Sequence, residues 1–272
     1  MAAVPEPDAT IVAHYESTRE EERISSGLAE LELLRVKEVL GRHLPVPPAS
    51  VLDVGGATGV HAAWLAEGGF SVRIVDLAPR HVELANRELG RLGVVAEIGD
   101  ARRLPAADAS ADVVLLFGPL YHLTERRERL AALAEARRVA RPGGLVAVAA
   151  ISRFASLFDG LARELLFEPD FLPVVERDLA DGQHRNLAGH EHRFTTAFFH
   201  HPDELRDEIS ASGLEVRELV GLEGLAGWLP QLARRWESPA GRDRILWAAR
   251  AVESEPSLIG LSSHLLAVAE RA

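Results

Sequence analysis

The segment Val51-Leu52-Asp53-Val54-Gly55-Gly56-Ala57-Thr58-Gly59 sets an acid directly before a glycine-rich turn. Such a turn between a strand and a helix lets the backbone approach a ligand closely and exposes helix N-terminal N–H groups. Spacing tests two ligand classes. A phosphate-cradling P-loop needs Gly-Lys-Ser/Thr, and Thr58-Gly59-Val60 has no lysine. A dinucleotide fingerprint needs glycine at its first, third and sixth positions, and counting from Gly55 finds Ala57 and Val60 at the latter two. What remains is a series of acids. Asp76 lies 23 residues beyond Asp53, and Asp100 follows the next apolar run. A carboxylate at a strand end can accept hydrogen bonds from ribose hydroxyls, and one at the next strand end can accept from an exocyclic amine such as adenine's. Each acid alone is equally well a helix N-cap. Three of them at successive strand ends, beside a glycine turn, are hard to explain as three caps.

The elements that must position these acids follow from periodicity. Leu28, Leu31, Leu34, Val36, Val39 and Leu40 give a helical stripe within Ile24–Leu44, stopped by Pro45, Pro47 and Pro48. Short apolar runs then alternate with helical ones. Strands are predicted at Val51–Val54, Phe70–Val75, Val94–Ile98, Asp112–Phe117 and Leu145–Ile151. Helices are predicted at Val60–Glu67, from Pro79 through Leu92, and from a Thr124 cap to about Ala140, before the turn Arg141-Pro142-Gly143-Gly144. Strands alternating with helices argue for a doubly wound, mostly parallel sheet with right-handed crossovers. Ligands bind beyond the carboxyl ends of such strands, so Asp53–Gly59, Asp76, Asp100 and Phe117–His122 should converge. Past residue 150 the pattern gives helices at Phe154–Phe167 and Phe171–Ala180, and a polar loop at Asp181–His192. A further helix should run from His201 to Ala211. Two late strands, Leu214–Val220 and His264–Ala269, suit an edge hairpin with a long insertion.

From Val51 to Ile151 the sequence resembles the class I S-adenosylmethionine-dependent methyltransferases. Their acid-then-Gly-x-Gly-x-Gly motif is matched by Asp53, Gly55, Ala57 and Gly59, with alanine at the central glycine. Asp76 matches the ribose-binding acid and Gly99-Asp100-Ala101 the adenine-contacting segment. Phe117-Gly118-Pro119-Leu120-Tyr121-His122 matches the fourth-strand exit that lines the reaction site, and Arg141–Gly144 the turn before the fifth strand. The resemblance implies a Rossmann-like sheet of seven strands, the last antiparallel. It implies S-adenosylmethionine as cofactor and S-adenosylhomocysteine as product. Cofactor-binding residues would be Asp53, Gly55, Gly56, Ala57, Gly59, Asp76, Leu77, Asp100, Ala101 and Phe117. The segment His14 to Arg23 looks like the helical lid of small-molecule members, with Tyr15 and Arg23 meeting the cofactor carboxylate. Three parts follow: an N-terminal helical lid at 1–45, a cofactor-binding core at 46–152, and acceptor-binding helices with the final strands at 153–272.

Methyl transfer from a sulfonium is an in-line displacement in which the protein mainly supplies alignment and a dry site. A base is needed only as far as the acceptor's acidity demands. Tyr121 and His122 are the candidate catalytic residues, and His184, His190, His192, His200 and His201 are further candidate bases. His190 and His192 flank Glu191, with no spaced acid cluster to complete the three or four ligands of a zinc site, so no metal is expected. Ten of the fifteen aromatic residues follow position 150, which suits a small apolar or aromatic acceptor. Two alternatives stand beside methyl transfer: a cofactor-binding protein of the same fold that does not methylate, and a nucleotide-cofactor oxidoreductase, against which Ala57 and Val60 count.

Composition narrows the partners. The 272 residues carry a net charge of −11, with 41 acids against 30 bases, which argues against phosphate-covering nucleic-acid binding. There is no cysteine, so disulfides, thiolate metal sites and cysteine nucleophiles are absent. Lys37 is the only lysine. The longest charge-free apolar runs, such as Val113–Leu123, are about half a membrane span. The expectation is a cytoplasmic monomer or homodimer acting on a small molecule, with no membrane and no nucleic-acid partner. The sequence leaves open whether oxygen, nitrogen or carbon receives the methyl group.

Overall fold

Strand β1 (Ser50–Val54) is apolar apart from Ser50 and Asp53 and is buried on both faces, as a central parallel strand must be. The computed structural model describes residues 27–186 and 194–272. Around β1 stand β2 (Ser71–Asp76), β3 (Val95–Ile98), β4 (Ala111–Leu116), β5 (Ala140–Ile151), β8 (Leu214–Gly221) and β9 (His264–Arg271). The seven-stranded order is β3-β2-β1-β4-β5-β9-β8. The pairs among β1 to β5 are parallel, and β9 runs antiparallel to both neighbours. The chain therefore reverses between β1 and β4, the switch point at which a crevice opens beyond the strand ends.

Helices cover both faces. On one face α1 (Gly27–Gly41), α2 (Val60–Glu67) and α3 (Pro79–Leu89) bring Val36, Val39, Leu40, Ala62, Leu65, Val82 and Ala85 into a layer with Val51, Ile74 and Leu115. On the other, α5 (Arg126–Val139) and α8 (Pro202–Ala211) bring Ala132, Leu133, Ala136, Leu205 and Ile209 against Leu52, Val114 and Leu265. Between β4 and α5 sits the single turn α4 (Pro119–His122). No helix among the described residues is long and apolar enough to cross a membrane.

A buried ion pair locks α5 to α8. Arg129 donates from Nε and Nη2 to the two carboxylate oxygens of Glu208 at 2.9 and 2.7 Å, with both side chains almost fully buried. Its Nη1 holds the carbonyls of Leu123 and Thr124 at 3.0 and 2.9 Å, and its guanidinium lies 3.5 Å from the Phe198 ring centroid. Burial pushes the Glu208 carboxyl upward, but hydrogen bonds and charges from His200 and Arg129 outweigh it and bring its pKa to about 2.

Several boundaries depart from expectation for visible reasons. Thr124 does not cap α5: its carbonyl is taken by Arg129 and Gln183, and the helix begins at Arg126 after Glu125. The Arg141–Gly144 turn is absorbed into β5, where the register shifts as Ala111 pairs with Ala140 and Val113 with Leu145. The helix predicted over Phe154–Phe167 breaks at Glu164 (φ 62°) into α6 (Ala155–Ala162) and a 3-10 turn, Leu165–Phe167. The expected loop after α7 (Leu172–Asp181) contains β6 (Gln183–His184), paired with β7 (Ala197–Phe198). The excursion between β8 and β9 forms α9 (Leu232–Trp236) and α10 (Pro239–Val252), with Trp236 and Ile245 packed on Leu31 of α1.

Candidate active site

The turn after β1 is built by close approach. Gly55 has φ 75°, and a Cβ there would stand 2.5 Å from Pro119 Cδ and 2.9 Å from the Phe117 carbonyl. Only glycine lets the β1 and β4 exit loops touch in this way. Ala57 also takes a left-handed conformation (φ 48°), on the order of 1 kcal/mol uphill for a residue with a Cβ. Its N–H donates to Asp76 Oδ2 at 2.9 Å, which offsets that cost. Asp76 Oδ1 accepts from the Ala78 N–H at 2.9 Å and meets His81 Nδ1 at 3.2 Å. One carboxylate at the end of β2 therefore ties the glycine turn to the start of α3.

Asp53 is in a different condition. It is fully buried, and neither carboxylate oxygen has a hydrogen-bond partner among the described residues. Burial, and secondarily the charge of Asp76, pushes its pKa up to about 7. A Cβ at Gly56 would stand 2.8 Å from Asp53 Oδ2, so the glycine is what lets the turn close over this acid. A buried carboxylate without a partner is costly unless something cationic or hydrogen-bonding reaches it.

A cavity of about 470 Å³ opens over the carboxyl ends of the strands. Of the residues singled out from sequence, Gly55, Gly56, Ala57, Asp76, Leu77, Asp100, Ala101, Phe117, Tyr121 and His122 line it. Asp53 lies directly beneath the turn. Gly59 is not in the lining; it starts α2 with φ 92°, and a Cβ there would run into Leu89 and Ile74. Asp100 is held by Arg102, which donates from Nε at 3.0 Å and Nη2 at 2.6 Å and also pairs with Glu128. Tyr15, Arg23, His190 and His192 lie outside the described residues.

The remaining candidate bases are engaged elsewhere. His184 is buried against Asp178 at 2.7 Å, and His200 is buried 3.4 Å from Glu208. The His201 side chain caps α8 by accepting from the Asp203 N–H at 3.4 Å. The late aromatics also differ from expectation. Phe171, Phe198, Phe199 and Trp236 are core residues and Phe167 and Trp247 are exposed, so of the late set only Phe194 reaches the described cavity wall. The aromatic wall is made instead by Phe117, Tyr121 and Phe194, with Tyr121 and Phe194 centroids 6.2 Å apart. Leu28, Leu33 and Val36 of α1 add an apolar side.

Two features escaped the sequence. His61, on the first turn of α2, lines the cavity edge-on to Phe117 at 5.0 Å, and burial, then Lys37, lowers its pKa to about 4. It is therefore a neutral imidazole near neutral pH. Glu32, Glu223 and His264 gather at the opposite end, with potential ligand atoms all within 4.8 Å. The available signal for His264 was its place as first residue of the last strand, which an antiparallel strand puts at the ligand edge.

A sheet of this order, with a glycine turn, a buried acid and a second strand-end acid around one crevice, defines the Rossmann-like methyltransferase class. A family model described as a methyltransferase domain matches residues 51–144. A demethylmenaquinone methyltransferase of Deinococcus radiodurans is 31% identical over 185 residues, covering 66% of this chain and 73% of that protein. Another, from Beutenbergia cavernae, is 36% identical over 129 residues, covering 47% of this chain and 50% of that protein. The chain thus spans about half the length of several curated relatives it matches. A solved S-adenosylmethionine-dependent methyltransferase from Methanosarcina mazei shares the fold, with TM-score 0.58 and 17% identity, covering 86% of this chain and 96% of that one. The chain belongs to the S-adenosylmethionine-dependent methyltransferase family.

Proposed function

We propose that this protein transfers a methyl group from S-adenosylmethionine to a small apolar or aromatic acceptor in the cytoplasm, releasing S-adenosylhomocysteine. The observation that carries the reading is the buried Asp53 beneath the glycine turn, whose carboxylate oxygens have no hydrogen-bond partner among the described residues. An amino-acid ammonium is the kind of group that would satisfy it, and a ribose beside it would meet Asp76. In this reading Gly55, Gly56, Ala57 and Gly59 shape the turn, and Leu77, Asp100, Ala101 and Phe117 hold the nucleoside. Tyr15 and Arg23 keep the role of meeting the carboxylate. When bound, the cofactor supplies a methyl group already activated by a sulfonium.

The chain's own contribution is alignment and exclusion of water, for which proximity alone supplies roughly 7–11 kcal/mol. Tyr121 and His122, on the β4 exit beside the glycine turn, are the side chains placed toward the acceptor, and the apolar side chains of α1 form another side of the cavity. The 153–272 part supplies acceptor contacts such as Phe194, and the protein acts as a monomer or homodimer without nucleic acid.

Calorimetric titration tests the reading. S-adenosylmethionine should bind and NAD(P)H should not. Asp76→Ala should weaken S-adenosylmethionine binding by about 1.5–3 kcal/mol, the scale of hydrogen bonds involving a charged group. Unchanged affinity in a folded variant would remove the ribose assignment. Binding without transfer of labelled methyl to a broad acceptor panel would favour the non-methylating alternative.

A further inference from the structure

We propose that His61 is a specificity residue for the methyl acceptor: its Nε2–H donates a hydrogen bond to an uncharged carbonyl oxygen, so the acceptor is a neutral, ketone-type compound with a planar ring. The inference rests on the methyltransferase reading and adds to it one residue that reads the acceptor and the polar group it reads.

His61 is the second residue of α2, directly behind the glycine turn, and it lines the cavity. Its ring stands at 81° to that of Phe117, with centroids 5.0 Å apart. Phe117 belongs to the same apolar layer as Val36 of α1, and Val60 precedes His61 in the lining. His61 thus brings a polar edge into an apolar stretch of wall.

The tautomer is set from behind. Trp64, one turn further along α2, donates from Nε1 to His61 Nδ1 at 3.5 Å. Lys37 of α1, the only lysine of the chain, stands 5.6 Å from the Trp64 ring centroid. A ring nitrogen that accepts carries no proton, so the neutral imidazole holds its proton on Nε2. Among the described residues nothing accepts from that N–H. Burial and then the Lys37 charge lower the His61 pKa to about 4. The positive end of α2 acts in the same direction. The ring is therefore a donor without a charge.

The charges of the lining decide which oxygen it takes. Glu32, Asp76, Asp100 and Glu128 line the described cavity, against one arginine, Arg102, which is paired with Asp100 and Glu128. Such a wall suits the sulfonium of the cofactor and repels a carboxylate or phosphate on the acceptor. A hydrocarbon at this point would leave the donor unpaired, whereas a carbonyl satisfies it. In the proposed function the cofactor's ammonium meets Asp53, its ribose Asp76, and its carboxylate Tyr15 and Arg23. The His61 N–H is thereby left to the acceptor. Phe117, Tyr121 and Phe194 give the flat faces for a ring beside it.

The test uses acetophenone, its oxygen-free isostere α-methylstyrene, and benzoate, each titrated into the full-length protein saturated with S-adenosylhomocysteine. Wild type should bind acetophenone about 5-fold more tightly than α-methylstyrene, the scale of one neutral hydrogen bond, and benzoate least tightly. H61F should erase the preference, while H61Q, which keeps an N–H donor, should retain part of it. The carbonyl stretch of bound acetophenone should lie at lower frequency in wild type than in H61F. Nitrogen NMR of the histidine rings should show His61 protonated on Nε2 alone in wild type, and W64F should lose that single tautomer. Affinity for S-adenosylhomocysteine should be the same in wild type and H61F. No preference for acetophenone in wild type, a preference that survives in H61F, equal loss in H61F and H61Q, or an H61F effect confined to S-adenosylhomocysteine overturns the proposal. Failure of wild type to bind S-adenosylhomocysteine removes the methyltransferase reading instead, and is scored separately from the carbonyl preference.

Discussion

Asp53→Asn is expected to stabilise the protein above neutral pH while weakening its hold on S-adenosylmethionine. The carboxyl is fully buried with no described partner, and its pKa is raised to about 7 from an ordinary 3.8. An acid with a raised folded-state pKa binds more protons folded than unfolded. Its penalty is therefore absent below the unfolded value, grows as pH rises, and is complete above the folded value. At about 1.4 kcal/mol per unit the full penalty is on the order of 4 kcal/mol. Asparagine carries no charge and escapes it. Thermal melts should show the variant's advantage widening from about pH 4 to about pH 7 and staying level above that. A difference independent of pH would mean that Asp53 is not the strained group. In calorimetry the same variant should lose about 1.5–3 kcal/mol of cofactor affinity, because the ammonium loses its charged partner. Stability and affinity moving in opposite directions is the mark of a residue retained for binding.

The second large effect concerns Arg129. Arg129→Ala is expected to destabilise the fold by about 3–5 kcal/mol in urea unfolding, since Glu208 would be left buried and charged. The variant also removes the donor from the Leu123 and Thr124 carbonyls, and both residues line the cavity. Replacing both partners with apolar residues of similar volume should recover much of the loss. The pH response has the sign opposite to that of Asp53. Glu208 has a depressed pKa, so its contribution is present above its ordinary 4.5 and disappears as pH falls toward about 2. If Arg129→Ala retained wild-type stability at neutral pH, the pair would be ornamental.

Much of the cofactor half was legible because its signals are local. A buried central strand, a turn needing positive φ, and an acid after each of the first strands are written in consecutive residues. The helix Val60–Glu67 and the start of the helix at Pro79 fall where expected. What was not legible depends on partners far along the chain. Arg129 sits in an arginine-rich helix that looks solvent-facing, yet shares a buried face with Ala132, Leu133 and Ala136 and meets Glu208, 79 residues away. Thr124 has cap chemistry, but its carbonyl was claimed by that arginine. Phe171, Phe198 and Phe199 have the composition of a pocket wall and pack in the core instead. His264 gains its place through the antiparallel entry of β9, which sets it opposite Ile151 of the distant β5.

That entry has an evolutionary consequence. Gly221 and Leu265 face each other across two paired strands, so residues 222–263 leave and rejoin the sheet at neighbouring points. The ends of this excursion are pinned by the sheet whatever lies between them. Closing such a loop costs only about 0.6 kcal/mol more for each doubling of length. The excursion can therefore be lengthened, shortened or exchanged between relatives while the glycine turn and its acids stay untouched. A lineage can change what it modifies by grafting one segment and leave the donor chemistry as inherited.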